Sequence, residues 1–450
     1  MNGPQERHSA LRKVALASLV GTTIEWYDFF VYGAAAALVF NTLFFPNQDP
    51  LTGTLLAFAT YSVGFAARPL GGIVFGHFGD RLGRKRMLVT SLLLMGAATF
   101  AIGLLPTYDA VGSWAAVLLV TCRFLQGFAV GGEWGGAVLM VAEHGGSRRR
   151  GFWASWPQTG VPAGSLLATG ALSVVTGFMS EATFGSWGWR IPFLLSAVLV
   201  MVGLYIRISV SESPVFEQAQ EEQRRSGQQQ RLPLIEAFRR HWREVLIAMG
   251  ARFAENISYY VFTAFVLTYL TGHLGLSKTT GLNAVLIASA IQFAVIPLWG
   301  LLSDRIGRRP VYLIGVGGLL IWAFVFFVLL DSRSPLAITV AISVGLVVHA
   351  AMYAPQAAFF SELFGTGVRY TGASIGYQLA SVFAGGLAPL IAVALLDGFG
   401  SSLPISLYLA GAALVTLVAV LLAQETSTRN LSDVSAAREQ TADQPQVPAS

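Results

Sequence analysis

The chain has 450 residues, 54% of them hydrophobic and only 12% charged, with a formal net charge of +5 and a mean hydropathy of +0.60. Soluble domains carry about 25% charged residues, so a soluble enzyme or nucleic-acid binder is excluded on solubility alone. The single cysteine, Cys122, rules out an intrachain disulfide.

Apolar runs long enough to cross a bilayer recur along the sequence. They predict twelve spans at 14–41, 52–78, 87–106, 113–142, 151–178, 188–210, 244–271, 279–302, 311–330, 335–360, 370–396 and 403–423. The short polar N-terminus, 1–13, leads straight into the first span and has no cleavable-signal pattern. Glu25 and Asp28 lie three apart on that span, hence on one face. Two carboxylates so close at membrane depth resist being ionised together, which makes either one a candidate proton carrier; a structural ion pair with Arg68 or Arg123 is the alternative. Arg68 sits in the second span beside Pro69 and requires a carboxylate partner or an anionic ligand. On the fourth span Arg123, Gln126, Val130 and Glu133 share a face, and Gly127, Gly131 and Gly135 form a small-residue packing seam. The segment 211–243 is the one long polar interior stretch and reads as a linker between an N-terminal bundle, 14–210, and a C-terminal bundle, 244–423. Arg252, Glu255, Asn256, Tyr259 and Tyr260 open the seventh span, where Arg252 and Glu255 are placed to satisfy one another. His349 falls near the middle of the tenth span; a lone histidine there is more often a hydrogen-bonded core residue than a ligand. The stretch 424–450 is rich in Ser, Thr, Ala and Gln and is expected to be a disordered tail.

Two loop motifs recur. Gly76-His-Phe-Gly-Asp80-Arg81-Leu-Gly83-Arg84-Lys85 returns as Gly300-Leu-Leu-Ser303-Asp304-Arg305-Ile-Gly307-Arg308-Arg309, at 304 − 80 = 224 residues. Glu143, seven before Arg150, returns as Glu362, seven before Arg369, at 362 − 143 = 219. A duplication near half the chain length is the mark of two repeated bundles. Arg68 has Gln292 as its counterpart, at 292 − 68 = 224, so its charge belongs to one half only. Arginines and lysines gather in the loops at 81–86, 148–150 and 305–309, with Arg7, Arg12 and Lys13, all on one side of the map; the positive-inside rule makes that side and both termini cytoplasmic.

The duplicated loop and Arg123-Phe-Leu-Gln-Gly127 resemble the signatures of the major facilitator superfamily. Thr23-Ile-Glu-Trp-Tyr-Asp-Phe-Phe30, Ala67-Arg-Pro-Leu-Gly-Gly72 and Gly131-Gly-Glu-Trp-Gly-Gly-Ala137 resemble its metabolite:proton symporter family, whose members take up shikimate, 2-oxoglutarate, citrate, or proline and betaine. The similarity runs from about Leu11 to Glu425. It departs in having Ser303 where the first loop has Gly79, and in lacking the coiled-coil tail of osmosensing members. Gly160-Val-Pro-Ala-Gly164 also differs from the drug-antiporter pattern, which favours import.

The fold expected is an all-α membrane protein of twelve transmembrane helices in two pseudo-symmetric six-helix bundles. The resemblance implies alternating access, with a cytoplasmic gate of salt bridges among Asp80, Arg84, Glu143, Arg150, Asp304, Arg308, Glu362 and Arg369. It also implies proton coupling through the acidic groups Glu25, Asp28 and Glu133. Candidates for the substrate are Arg68, Arg123, Gln126, Arg252, Glu255, Asn256, Tyr259 and His349. The expected function is proton-coupled uptake of a small carboxylate or zwitterion by an inner-membrane monomer embedded in the lipid bilayer. The proton gradient is its energy source, and no metal, cofactor or nucleic acid is involved. A proton-driven exporter on the same fold and a non-transporting membrane sensor are the rivals.

Overall fold

Inside a bilayer a backbone can satisfy its polar groups only by closing its own hydrogen bonds, so each long apolar run must form a helix. The computed structural model describes residues 4–82, 84–131, 141, 149–209, 241–364 and 369–428, without the side chains at 4–10, 76, 77, 79–85, 88, 206–209 and 369–371. The spanning helices of the N-terminal bundle are α1 (Pro4–Leu38), α2 (Pro50–Leu82), α3 (Arg84–Leu104), α4 (Trp114–Val130 in its described part), α5 (Arg150–Phe178) and α6 (Arg190–Ser209). In the C-terminal bundle α7 runs through Trp242–Tyr260 and continues in π turns at Val261–Phe265 and Tyr269–His273. It is followed by α8 (Lys278–Ile306), α9 (Arg308–Asp331) and α10 (Pro335–Leu363). The eleventh, α11, runs from Arg369–Ala380 through a π segment, Ser381–Gly386, to Ala388–Phe399, and α12 is Leu403–Leu422.

Eight of these helices are long and apolar enough to span on their own. The others depart for local reasons. A 47° bend separates α6 from the short helical stretch before it, and the apolar parts of α3 and α4 are shorter, at Val89–Leu104 and Trp114–Val130. Helix α7 is diluted by Arg252, Glu255 and Asn256. The first helix begins at Pro4, so residues 4–13, read from the sequence as a polar N-terminus, extend α1.

Polarity is inverted relative to a soluble protein. Phe178, Leu336, Val328 and Leu422 are exposed on the outside, while Asp28, Arg68, Arg123, Arg252 and Glu255 are buried. The bundles meet where α5 lies along α8 and α10, α2 lies along α11, and α1 approaches α7. Of the predicted small-residue seam, Gly127 and Gly131 pack α4 on α2, and Gly135 lies outside the described residues; a Cβ on Gly127 would stand 1.8 Å from the Gly64 carbonyl oxygen. Only glycine permits that approach, which brings the two backbones close enough for van der Waals packing to hold the helices together in lipid.

Candidate functional site

In the N-terminal bundle, Asp28 on α1 accepts a 2.7 Å hydrogen bond from Thr99 on α3. Gln126 on α4 donates to the same hydroxyl at 2.6 Å, and its amide oxygen accepts from Arg123 Nη1 at 3.1 Å. The three-residue spacing of Arg123 and Gln126 makes the last contact possible. Asp28 and Arg123 are therefore joined through Thr99 and Gln126, and the direct ion pair considered for them is absent among the described residues. Asp28 Oδ1 has no hydrogen-bond partner. Glu25, one turn earlier on α1, is buried as well.

Both arginines lie on aromatic rings. The Arg123 guanidinium is 3.9, 4.2 and 4.6 Å from the ring centres of Phe29, Tyr32 and Tyr61. Arg68 is 4.2, 4.5 and 5.6 Å from Phe29, Phe65 and Trp26. Gly64 makes room for Arg123, since a Cβ there would lie 2.6 Å from its Nε. Nε and Nη2 of both arginines are buried without hydrogen-bond partners.

The C-terminal bundle holds a denser network. Arg252 Nη1 contacts Glu255 Oε2 at 2.9 Å and the Gln356 amide oxygen at 2.8 Å, its Nε donates to Ser381, and its guanidinium lies 3.3 Å from the centre of the Tyr377 ring. Glu255 Oε1 pairs with His349 Nε2 at 2.9 Å, and His349 Nδ1 meets the Gln292 amide at 2.8 Å. The expected Arg252–Glu255 contact is present. His349, read from the sequence as more often a core residue, is part of the same cluster. Gln356 and Gln292 were missed as members. Gln356 lies seven residues after His349, two turns along the same face, which is the signal that marks it.

Between the bundles the lining is aromatic. Phe30 meets Tyr259 at 5.7 Å, and Tyr260 meets Phe65 at 5.3 Å and Tyr61 at 5.9 Å. Asn256 Nδ2 and the Tyr259 and Tyr260 hydroxyls are buried without hydrogen-bond partners. A cavity of about 20 Å³, water-sized, remains among Phe30, Tyr61, Ser165, Thr169 and Thr263.

At the end carrying the duplicated loops the bundles are joined by charge. Arg150 Nη1 pairs with Glu362 at 2.9 Å across the interface, and Arg308 pairs with Glu362 at 3.1 Å and Asp304 at 2.8 Å. Asp304 also accepts from the backbone amides of Gly151 and Phe152, both at 2.8 Å. A carboxylate of one bundle thus caps the first turn of α5 in the other, where free amides and the helix dipole favour a negative charge. Gly307 turns the loop with φ +104°, a conformation suited to glycine. Ser303, noted as a small departure from the first loop, accepts from Arg308 at 2.8 Å.

The sequence suggests a disordered tail from residue 424, but its first residues bond to the second loop motif and to Glu362. Glu425 accepts from the amides of Arg308 and Arg309, at 2.9 and 3.0 Å, and Thr426 donates to Glu362 at 2.7 Å. Burial alone would raise the Glu425 carboxyl, but the amides of Arg308, Ser427 and Arg309 outweigh it and hold it below the usual glutamate range. Glu133 and Glu143 lie outside the described residues, as do the side chains of Asp80, Arg84 and Arg369.

A family model described as sugar (and other) transporter matches residues 13–437. The chain is 44% identical to the shikimate transporter of Escherichia coli (strain K12) over 419 residues, covering 93% of this chain and 95% of that protein. It is 36% identical to the proline/betaine transporter of the same strain over 441 residues, covering 95% and 88%. Its fold resembles that of the proton:xylose symporter XylE bound to 6-bromo-6-deoxy-D-glucose, with TM-score 0.73, 16% identity, and coverage of 96% of this chain and 99% of that one.

Proposed function

The chain belongs to the sugar (and other) transporter family, within the major facilitator superfamily, and from that premise we propose that it imports a small carboxylate or zwitterion together with protons. It is a multi-pass membrane transporter and not an enzyme. The observation that carries the coupling is the buried chain Asp28–Thr99–Gln126–Arg123. A proton on Asp28 removes the negative charge at one end of that chain. Thr99 and Gln126 can then reorient, and Arg123 is released to meet a substrate anion. Glu25 adds a second carboxylate on the same helix. In this reading Arg150, Asp304, Arg308 and Glu362 hold the cytoplasmic side closed while the site is loaded, and both termini are cytoplasmic in an inner membrane.

Two relatives at 44% and 36% identity, named for shikimate and for proline/betaine, support a small polar organic cargo. The test is uptake into proteoliposomes under an imposed pH gradient. Coupled import predicts that an uncoupler abolishes accumulation, and that Asp28→Asn retains substrate exchange while losing gradient-driven uptake. Accumulation indifferent to the gradient would sink the coupling, and substrate-driven alkalinisation of the wrong compartment would identify an exporter.

A further inference from the structure

The three central arginines are not equally satisfied. Arg252 is paired with Glu255 at 2.9 Å. Arg123 also leaves Nε and Nη2 open, but its Nη1 is tied to Asp28 through Gln126 and Thr99. Arg68 is 1% exposed, forms no ion pair among the described residues, and leaves Nε and Nη2 without a hydrogen bond. A guanidinium is always charged and can only donate, and a buried one without an anion is strongly disfavoured. Nε and Nη2 together form one edge of its planar fork, the geometry that takes both oxygens of a carboxylate.

The facing bundle supplies further open donors at the same place. A Cβ built on Gly385 would lie 2.9 Å from Tyr260, 3.0 Å from Phe65 and 3.1 Å from Asn256 Nδ2, so these groups converge beside the ring on which Arg68 stacks. Asn256 Nδ2 and the Tyr260 hydroxyl have no partners. A cluster dominated by donors calls for a ligand group rich in acceptors.

The aromatic rings argue against a second positive charge. A quaternary ammonium is recognised by open aromatic faces. Here Phe29 is shared by two guanidiniums at 4.2 and 3.9 Å, Phe65 and Trp26 face Arg68, and Tyr32 and Tyr61 face Arg123. The chain's own cations thus occupy the rings that surround Arg68 itself.

We propose that the cargo is a carboxylate anion without an ammonium group, its carboxylate held on the Nε–Nη2 edge of Arg68 and covered by Asn256 and Tyr260 of the other bundle. This assignment rests on the transport reading and narrows it. Thermal-shift titration of the purified full chain against shikimate, 2-oxoglutarate and citrate, and against proline and glycine betaine, tests it, followed by proteoliposome uptake of any stabilising ligand. At least one anion raises the unfolding temperature while neither zwitterion does. Arg68→Gln weakens that anion at least tenfold, and Arg68→Lys, which keeps the charge without the fork, falls between. Stabilisation and uptake of a zwitterion in preference to every anion overturns the assignment and leaves the transport reading standing. Unchanged anion affinity in Arg68→Gln also overturns it. Absence of binding and uptake for every anion tested also overturns the assignment, while the transport reading is judged apart from it by the pH-gradient uptake assay.

Discussion

Asp304 is the most informative residue to remove from the gate, because its contacts divide between the bundles. Its pairing with Arg308, at 2.8 Å, lies within the C-terminal bundle and is lost equally in open and closed states. Its bonds to the Gly151 and Phe152 amides, also at 2.8 Å, exist only while the bundles meet at this end. Asp304→Ala therefore shifts the gating equilibrium by the value of those two bonds alone. The two bonds act together as a cap on the first turn of α5, so a loss of about 2 kcal/mol is expected, the upper end of the range for replacing a helix cap. That is roughly a 30-fold shift in the equilibrium, enough to move a 99:1 closed population to about 3:1. Spin labels at Arg149→Cys and Arg305→Cys, both exposed, on a Cys122→Ala background report the separation directly by pulsed electron resonance. The variant should show a second, longer distance in a substantial fraction of molecules. A distribution matching that of the parent would refute the claim that this carboxylate holds the bundles together.

Gly151→Ala should open the same gate by sterics, because its Cβ would lie 2.6 Å from Ser303 Oγ and 2.7 Å from the Gly300 carbonyl oxygen. Gly170→Ala, whose Cβ would meet only Leu286 at 3.6 Å, should leave both the distance distribution and uptake unchanged. His349→Ala removes the 2.9 Å partner of a buried Glu255 oxygen. It should lower stability by about 1–3 kcal/mol, read as a reduced unfolding temperature of detergent-solubilised protein. An unaltered temperature, or simple additivity with Glu255→Gln in a double-mutant cycle, would remove His349 from that network.

Local properties of the sequence determined much of this protein. The apolar runs set the helices because a bilayer permits few other spanning structures, and the duplicated loop marked two halves because repetition survives in residue order. Spacing along one helix correctly joined Arg123 to Gln126 and Arg252 to Glu255, since residues three apart share a face. Contacts between distant segments were decided only by the tertiary structure. Glu255 meets His349 across 94 residues, Asp304 caps a helix 153 residues away, and Glu425 returns to a loop 117 residues earlier. None of these partners is implied by spacing, because packing fixes which helix faces meet and how far each slides along its neighbour. The same packing left Arg68 against aromatic rings, without a carboxylate among the described residues. The sequence could say that its charge demanded an answer; the fold showed how far the chain itself supplies one.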